Sequence, residues 1–236
     1  MERGQLTWMD ARVEGAEVTP RAGKPVELAA LWHHALGLME GWCQRSGRSP
    51  QAQYYAEIRR RAEAGFRARF WYPDGGYLYD VVDGPGGDDA SLRPNQIIAT
   101  ALPDCPLSAE QRRAAVDLVV ERLWTPRGLR TLDRDDPRYQ GRYGGGPAAR
   151  DGAYHQGTVW PWLLGSLVEA HLLVYGDRPA ARRLVAPLRD HLFAEAGCGS
   201  VSEVFDGDPP HAPGGCIARA WSVAEVYRAW RETEEA

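Results

Sequence analysis

The chain has 236 residues, a formal net charge of −4 and 25% charged residues. That length supports one domain with a real core, and the charge leaves no basic footprint for nucleic acid and no polybasic patch for a membrane. No apolar run of about 18–20 residues is free of charge, which argues against a spanning helix, and residues 1–10 lack the apolar core of a signal peptide.

The expected setting is therefore cytoplasmic. Cys43, Cys105, Cys198 and Cys216 stand far apart with no CxxC pair, and read as free thiols rather than a disulfide framework or zinc site. The aromatic content is skewed, with 9 Trp and 10 Tyr against 4 Phe. Amphipathic aromatics stack on sugar faces and keep a polar handle, although large helical cores use them too.

Residues 1–25 read as loop, with Leu6–Asp10 a short extended piece. Pro25 suits a first helical position, and Val26–Trp42 is apolar on nearly every face, so a buried helix is predicted there. A second helix, from Ser49 to about Phe70, is amphipathic at helical period and belongs outside. Trp71–Val82 reads as a turn and short strand, followed by a glycine-acidic loop to Asp89. Arg93–Leu102 is a short apolar helix with polar groups at its start. Ser108 caps the next helix, with Gln111 at the capping-box position, and that helix runs to about Trp124. Gly128–Leu132 reads as a strand.

A connection over 133–157 then leads to Arg150-Asp-Gly-Ala-Tyr-His-Gln-Gly-Thr-Val-Trp-Pro-Trp162, where polar groups stand at the mouth of an apolar helix predicted over 158–175. Gly176 is its C-cap. An amphipathic helix over 178–195 and an apolar-starting helix from Cys216 to about Glu232 complete the chain. The seven predicted helices alternate buried and outer. Two concentric rings of helices joined as hairpins produce that order, and they place the N-termini of all inner helices, with their unpaired N–H groups, on one face.

The polar groups before or at the start of the inner helices are Asp10, Lys24, Glu27, Arg93, Asn95, Gln96, Tyr154, His155, Gln156 and Glu203. Two carboxylates can divide glycosidic work, one protonating the leaving oxygen and the other activating water. Asp10 lies near Trp8 and Glu203 near Phe205, and flanking aromatics favour a protonated carboxyl by desolvation. By residue type alone other readings stand. A lone loop aspartate is more often a turn former. Glu203 with Asp206 and Asp208 also suits a solvated turn or a calcium loop. His155 suits a hydrogen-bonded core histidine, and one ring of His33-His34 should face inward.

Leu6-Thr-Trp-Met-Asp10, Gly23-Lys-Pro-Val-Glu27, Leu92-Arg-Pro-Asn-Gln96, Gly128-Leu-Arg-Thr-Leu132, Arg150–Trp162, Ser202-Glu-Val-Phe-Asp-Gly207 and Ala220-Trp-Ser-Val-Ala-Glu225 together resemble the C-terminal domain of glycogen-debranching enzymes, the amylo-α-1,6-glucosidase family. The resemblance runs in order along the whole chain, residues 1–236 as a single domain. It implies an all-α (α/α)6 toroid with short β-hairpins in its loops, of which about the last seven of twelve helices are present. It implies hydrolysis of α-1,6-linked glucose in glycogen or limit dextrin with inversion, with Asp10 as general acid and Glu203 as general base. Lys24, Glu27, Arg93, Asn95, Gln96, Tyr154, His155 and Gln156 would hold the glucose, and Trp8, Trp32 and Trp160 would stack on it. No cofactor and no metal are implied.

An incomplete ring should expose the apolar flanks of helices 26–44 and 217–232, a surface that a second chain supplying the other helices would cover. Two further readings remain: a non-catalytic sugar-binding remnant, and a different reaction on the same ring, phosphorolysis or trehalose-type hydrolysis.

Overall fold

The computed structural model describes residues 7–234. Leu6 lies outside them, and Thr7–Trp8 form a bend and Met9–Asp10 irregular backbone rather than a strand. Among the described residues the helices are α1 (Val26–Arg45), α2 (Ser49–Arg69), α3 (Asn95–Ala101), α4 (Ala109–Arg122), α5 (Pro147–Ala153), α6 (Leu163–Tyr175), α7 (Arg178–Val185), α8 (Arg189–Ala194) and α9 (Ala220–Glu232). None is long and apolar enough to cross a membrane.

The helices form two layers. α1, α3, α6 and α9 pack in that order, each on the next. Behind them α2 packs on α1, α4 on α3 and α6, and α7 on α6 and α9. The core divides into a larger cluster around Leu163, Leu164, Leu167 and Val168 and a smaller one around Val26, Ala30, Phe66 and Phe70.

The connections are asymmetric. Inner-to-outer turns are short (46–48, 102–108, 176–177), whereas outer-to-inner connections are long (70–94, 123–162, 195–219). Because antiparallel hairpins alternate direction, every long connection lies at the end that carries the inner-helix N-termini. These connections hold most of the strand structure. Trp71–Tyr72 pairs with Tyr77–Leu78, and Val81–Gly84 pairs with both Lys24–Pro25 and Gly87–Asp89. A five-stranded antiparallel sheet runs Pro213–Gly214, Val204–Phe205, Val159–Trp160, Gly128–Arg130, Trp124–Thr125. It ties the connections before α6 and α9 to each other.

Three predicted helices are revised, each for a local backbone reason. The helix expected from 158 starts at Leu163, since Val159–Trp160 is taken into the sheet and Pro161 biases the residue before it toward extended backbone. The helix expected over 178–195 breaks at a 3₁₀ turn, Ala186–Leu188, where Pro187 has no N–H to donate. The last helix starts at Ala220 rather than Cys216, because the backbones of Cys216 and Arg219 are bound to the 201–203 segment. The connection 133–157 also holds α5, announced by Pro147 at its first position.

α1 is apolar but not enclosed. Leu28, Leu31, Trp32 (56%), Leu38 and Trp42 (54%) are exposed along one flank, as are Ile217, Trp221, Val223 and Tyr227 at and before α9. These are the two ends of the inner row. The caps follow the sequence. Ser108 and Gln111 complete a reciprocal capping box, and Gly176 ends α6 in the left-handed region at φ 65°. Ser108→Ala should lower unfolding free energy by about 1 kcal/mol, read as a reduced urea midpoint with an unchanged slope.

Candidate active site

The N-terminal loop, the start of α1, the 70–94 connection and the start of α3 meet at one buried cation. Arg21 donates from its forked end to Glu27 at 2.5 and 2.6 Å, and to Asp80 at 2.7 and 3.1 Å. All three side chains are buried. Burial opposes the Arg21 charge, but Asp80 and Glu27 outweigh it and hold the guanidinium firmly protonated. Asn95 donates to Asp80 Oδ1 at 2.7 Å, an oxygen it shares with Arg21, and accepts from the Trp8 indole at 2.8 Å. Trp8, and with it the backbone leading to Asp10, is thereby anchored to the start of α3.

A second buried cation joins α3 to α6. Arg93 donates to the carbonyls of Thr131 (3.0 Å) and His155 (2.7 Å) and to Gln156 Oε1 (3.0 Å). Burial pushes it down to about 10, with Asp80 opposing. Gln156 uses its amide on the Val18 carbonyl at 2.9 Å. Gln96 donates to the Arg93 carbonyl and accepts from the Leu78 amide, both at 3.3 Å. Glu27, Arg93, Asn95, Gln96 and Gln156, the groups expected to hold glucose, each spend hydrogen bonds on protein in this structure.

The floor is aromatic. Trp8 stands edge-on to His155 (5.3 Å), Trp160 (5.4 Å) and Trp162 (5.0 Å). His155 stacks on Trp160 at 5.5 Å, and Trp162 on Trp221 at 4.0 Å. Trp160 is buried and its indole donates to the Tyr154 carbonyl at 2.9 Å, so it supports the floor and offers no free face to a sugar. His155 is wholly buried with neither ring nitrogen hydrogen-bonded. Burial, then Arg93 and Arg21, push it down to about 3, so the ring is neutral.

Glu203, 7% exposed, lies on the far side of this floor. Oε1 accepts from the Tyr154 hydroxyl at 2.7 Å and faces Arg219 Nη1 at 3.3 Å. Oε2 accepts from the Cys216 amide at 2.8 Å. Asp10 is exposed, on the loop that Trp8 anchors. Tyr154 is the shared element: its ring touches Trp160 and His155, both in contact with Trp8, and its hydroxyl touches Glu203.

Two predicted residues are not brought in. Lys24 is exposed and pairs with Asp83 at 2.5 Å. Trp32 lies on the exposed flank of α1. Phe205 packs edge-on to His191 at 4.7 Å in the core. Asp206 and Asp208 are occupied with the 139–143 segment: Asp206 accepts from the Tyr143 amide and Arg142, Asp208 from the Tyr139 hydroxyl. Both His33 and His34 turn toward Asp104, at 3.8 and 2.7 Å. Residue reading missed Arg21, Asp80 and Arg219, charged residues in loops with no local periodicity to mark them.

A family model described as amylo-alpha-1,6-glucosidase matches residues 1–228. The glycogen debranching enzyme of Saccharomyces cerevisiae is 29% identical over 209 residues, covering 70% of this chain and 13% of that protein. Among solved structures, a neutral trehalase from Saccharomyces cerevisiae superposes with TM-score 0.67 at 14% identity, over 90% of this chain and 38% of that one. A GH63 mannosylglycerate hydrolase from Thermus thermophilus, in complex with glucose, gives TM-score 0.61 at 19% identity over 88% of this chain and 45% of that one. At these identities the structural likeness concerns the fold. The chain thus spans less than half the length of each of these proteins.

Two outcomes follow from the buried charges. Arg21→Met leaves Glu27 and Asp80 buried without their cation and should destabilise the fold by about 3–5 kcal/mol in urea unfolding. The His155 ring should stay neutral from pH 8 to pH 5 in nitrogen-15 NMR. Its folded pKa lies below its unfolded value, so its contribution is fully present above about 6.5 and is lost as pH falls toward 3.

Proposed function

The chain belongs to the amylo-alpha-1,6-glucosidase family, and we propose that it carries the hydrolytic carboxylate pair of an inverting glucosidase acting on α-1,6 branch points of glycogen or limit dextrin. Asp10 is the general acid and Glu203 the general base. The observation that carries this reading is the setting of Glu203. It is nearly buried, faces only donors, and borders an aromatic floor that reaches the Trp8–Asp10 loop. A carboxylate so held is an acceptor available to water. In the reaction Asp10 protonates the glycosidic oxygen as its bond to the anomeric carbon breaks, while water gives a proton to Glu203 and its oxygen to that carbon. Inversion calls for the two carboxyls to stand roughly 6.5–9.5 Å apart across the bound sugar.

The proposed architecture is part of an (α/α)6 ring, with the inner row α1, α3, α6, α9 forming one side of the pocket. A second reading is supported by one observation: Asp10 is exposed. A general acid needs desolvation to remain protonated near neutrality, and the helices that would enclose Asp10 belong beside the exposed flanks of α1 and α9. On that reading the chain by itself binds sugar without cleaving it, and acquires activity when another chain covers those flanks.

The test is glucose release from a branched limit dextrin. Asp10→Asn and Glu203→Gln should each lower the rate by at least about 10²-fold, and the wild-type product should appear first as β-glucose. Near-normal release by Asp10→Asn sinks the assignment. Glucose or maltose binding without hydrolysis by the wild-type chain favours the second reading.

A further inference from the structure

We propose that Tyr154 is the positioning residue of the general base: it orients the Glu203 carboxylate so that one lone-pair direction, on Oε2, is left for the attacking water. The inference rests on the reading of Glu203 as base, and reassigns Tyr154 from holding sugar to holding the catalytic group.

The geometry is specific. A carboxylate offers about four acceptor directions. At Glu203 the Tyr154 hydroxyl and Arg219 Nη1 both approach Oε1, at 2.7 and 3.3 Å, and the Cys216 amide takes one direction on Oε2 at 2.8 Å. One direction on Oε2 remains. The backbone side of this clamp depends on Gly215. It sits at φ +67°, and a Cβ there would fall 2.5 Å from Oε2. Glycine thus lets the chain pass against the carboxylate and present the next amide.

Tyr154 is the rigid member. Its ring lies 4.8 Å from both Trp160 and His155 and 5.6 Å from Tyr143. Its carbonyl is held by the Trp160 indole at 2.9 Å. Arg219 is by contrast half exposed at the start of α9. A hydroxyl has one proton to donate, and that of Tyr154 is committed to Glu203, so it does not also serve a sugar oxygen as donor. Burial, then the hydrogen bond to Glu203 and its charge, raise the phenol well above the usual tyrosine range. The donor stays protonated around neutrality.

In the hydrolytic step an O–H bond of water breaks. Its proton goes to Glu203 Oε2 and its oxygen bonds to the anomeric carbon, as the bond to the leaving glucan breaks and Asp10 supplies that oxygen's proton. No oxidant or further reactant enters. A carboxylate free to rotate would present Oε2 correctly only part of the time. Misplacement of a reacting group on the ångström scale can cost about 10²-fold.

The experiment compares Tyr154→Phe, Glu203→Gln and the double variant with wild type. Tyr154→Phe should lower kcat on a branched limit dextrin by about 10- to 10²-fold with KM nearly unchanged. An unchanged kcat overturns the proposal, and so does a raised KM with unchanged kcat, which marks a sugar contact. If Glu203→Gln keeps the wild-type rate, the reading of Glu203 as base fails, whatever Tyr154→Phe does. Where the wild-type chain turns over no dextrin, the same four proteins decide by urea unfolding. Non-additive shifts in midpoint support the clamp, and additive shifts overturn it.

Discussion

The structure depends on how Arg21 is neutralised. A guanidinium in the interior is tolerated only with partners on every side, and Glu27 and Asp80 supply two carboxylates around it. Arg93 Nε lies 3.9 Å from Asp80 and restores the balance of two cations and two anions. Such clusters contribute less to net stability than apolar packing would, because desolvation offsets their attraction. Their effect is positional. The charges come from the N-terminal loop, the start of α1 and the 70–94 connection, so these segments can meet in only one arrangement without leaving a charge unpaired.

That arrangement propagates outward. Asp80 orients Asn95, Asn95 orients Trp8, and Trp8 closes the aromatic floor against His155 and Trp160. Arg93 performs the same service for the loop before α6 by binding two of its neighbouring carbonyls and Gln156. The five-stranded sheet carries the chain of support from that loop to Val204–Phe205, beside Glu203. The proposed base is therefore placed by contacts that begin at Arg21, at the opposite end of the sequence. The inner helices alone would leave these loops undefined, since their strands are two to four residues long and lean on one another.

The exposed apolar flanks have a physical meaning as well. Within the inner row, α3 and α6 have a neighbouring inner helix on both sides, whereas α1 and α9 present Leu, Trp, Val and Tyr side chains to solvent. The exposed groups lie at and beside the helices that flank Asp10 and Glu203 in sequence.

Much of the helical framework was legible in the residues. Apolar content distinguished the inner segments, amphipathic period the outer ones, and Ser108 and Gly176 marked ends that the structure keeps. Local signals sufficed there because capping and periodicity act within a few residues. They also sufficed to collect polar groups at one face, since hairpin alternation sends every long connection to the same end. They could not say which of those groups face a ligand. Glu27, Asn95 and Gln156 have the chemistry of sugar-binding residues, yet their partners are Arg21, Trp8 and Arg93, distant in sequence or hidden in loops. The sequence by itself determined the alternation of helices, the family and the two carboxylates worth testing. Only the tertiary structure decided which polar groups already spend their hydrogen bonds on protein, because those partners come from segments far apart in the chain.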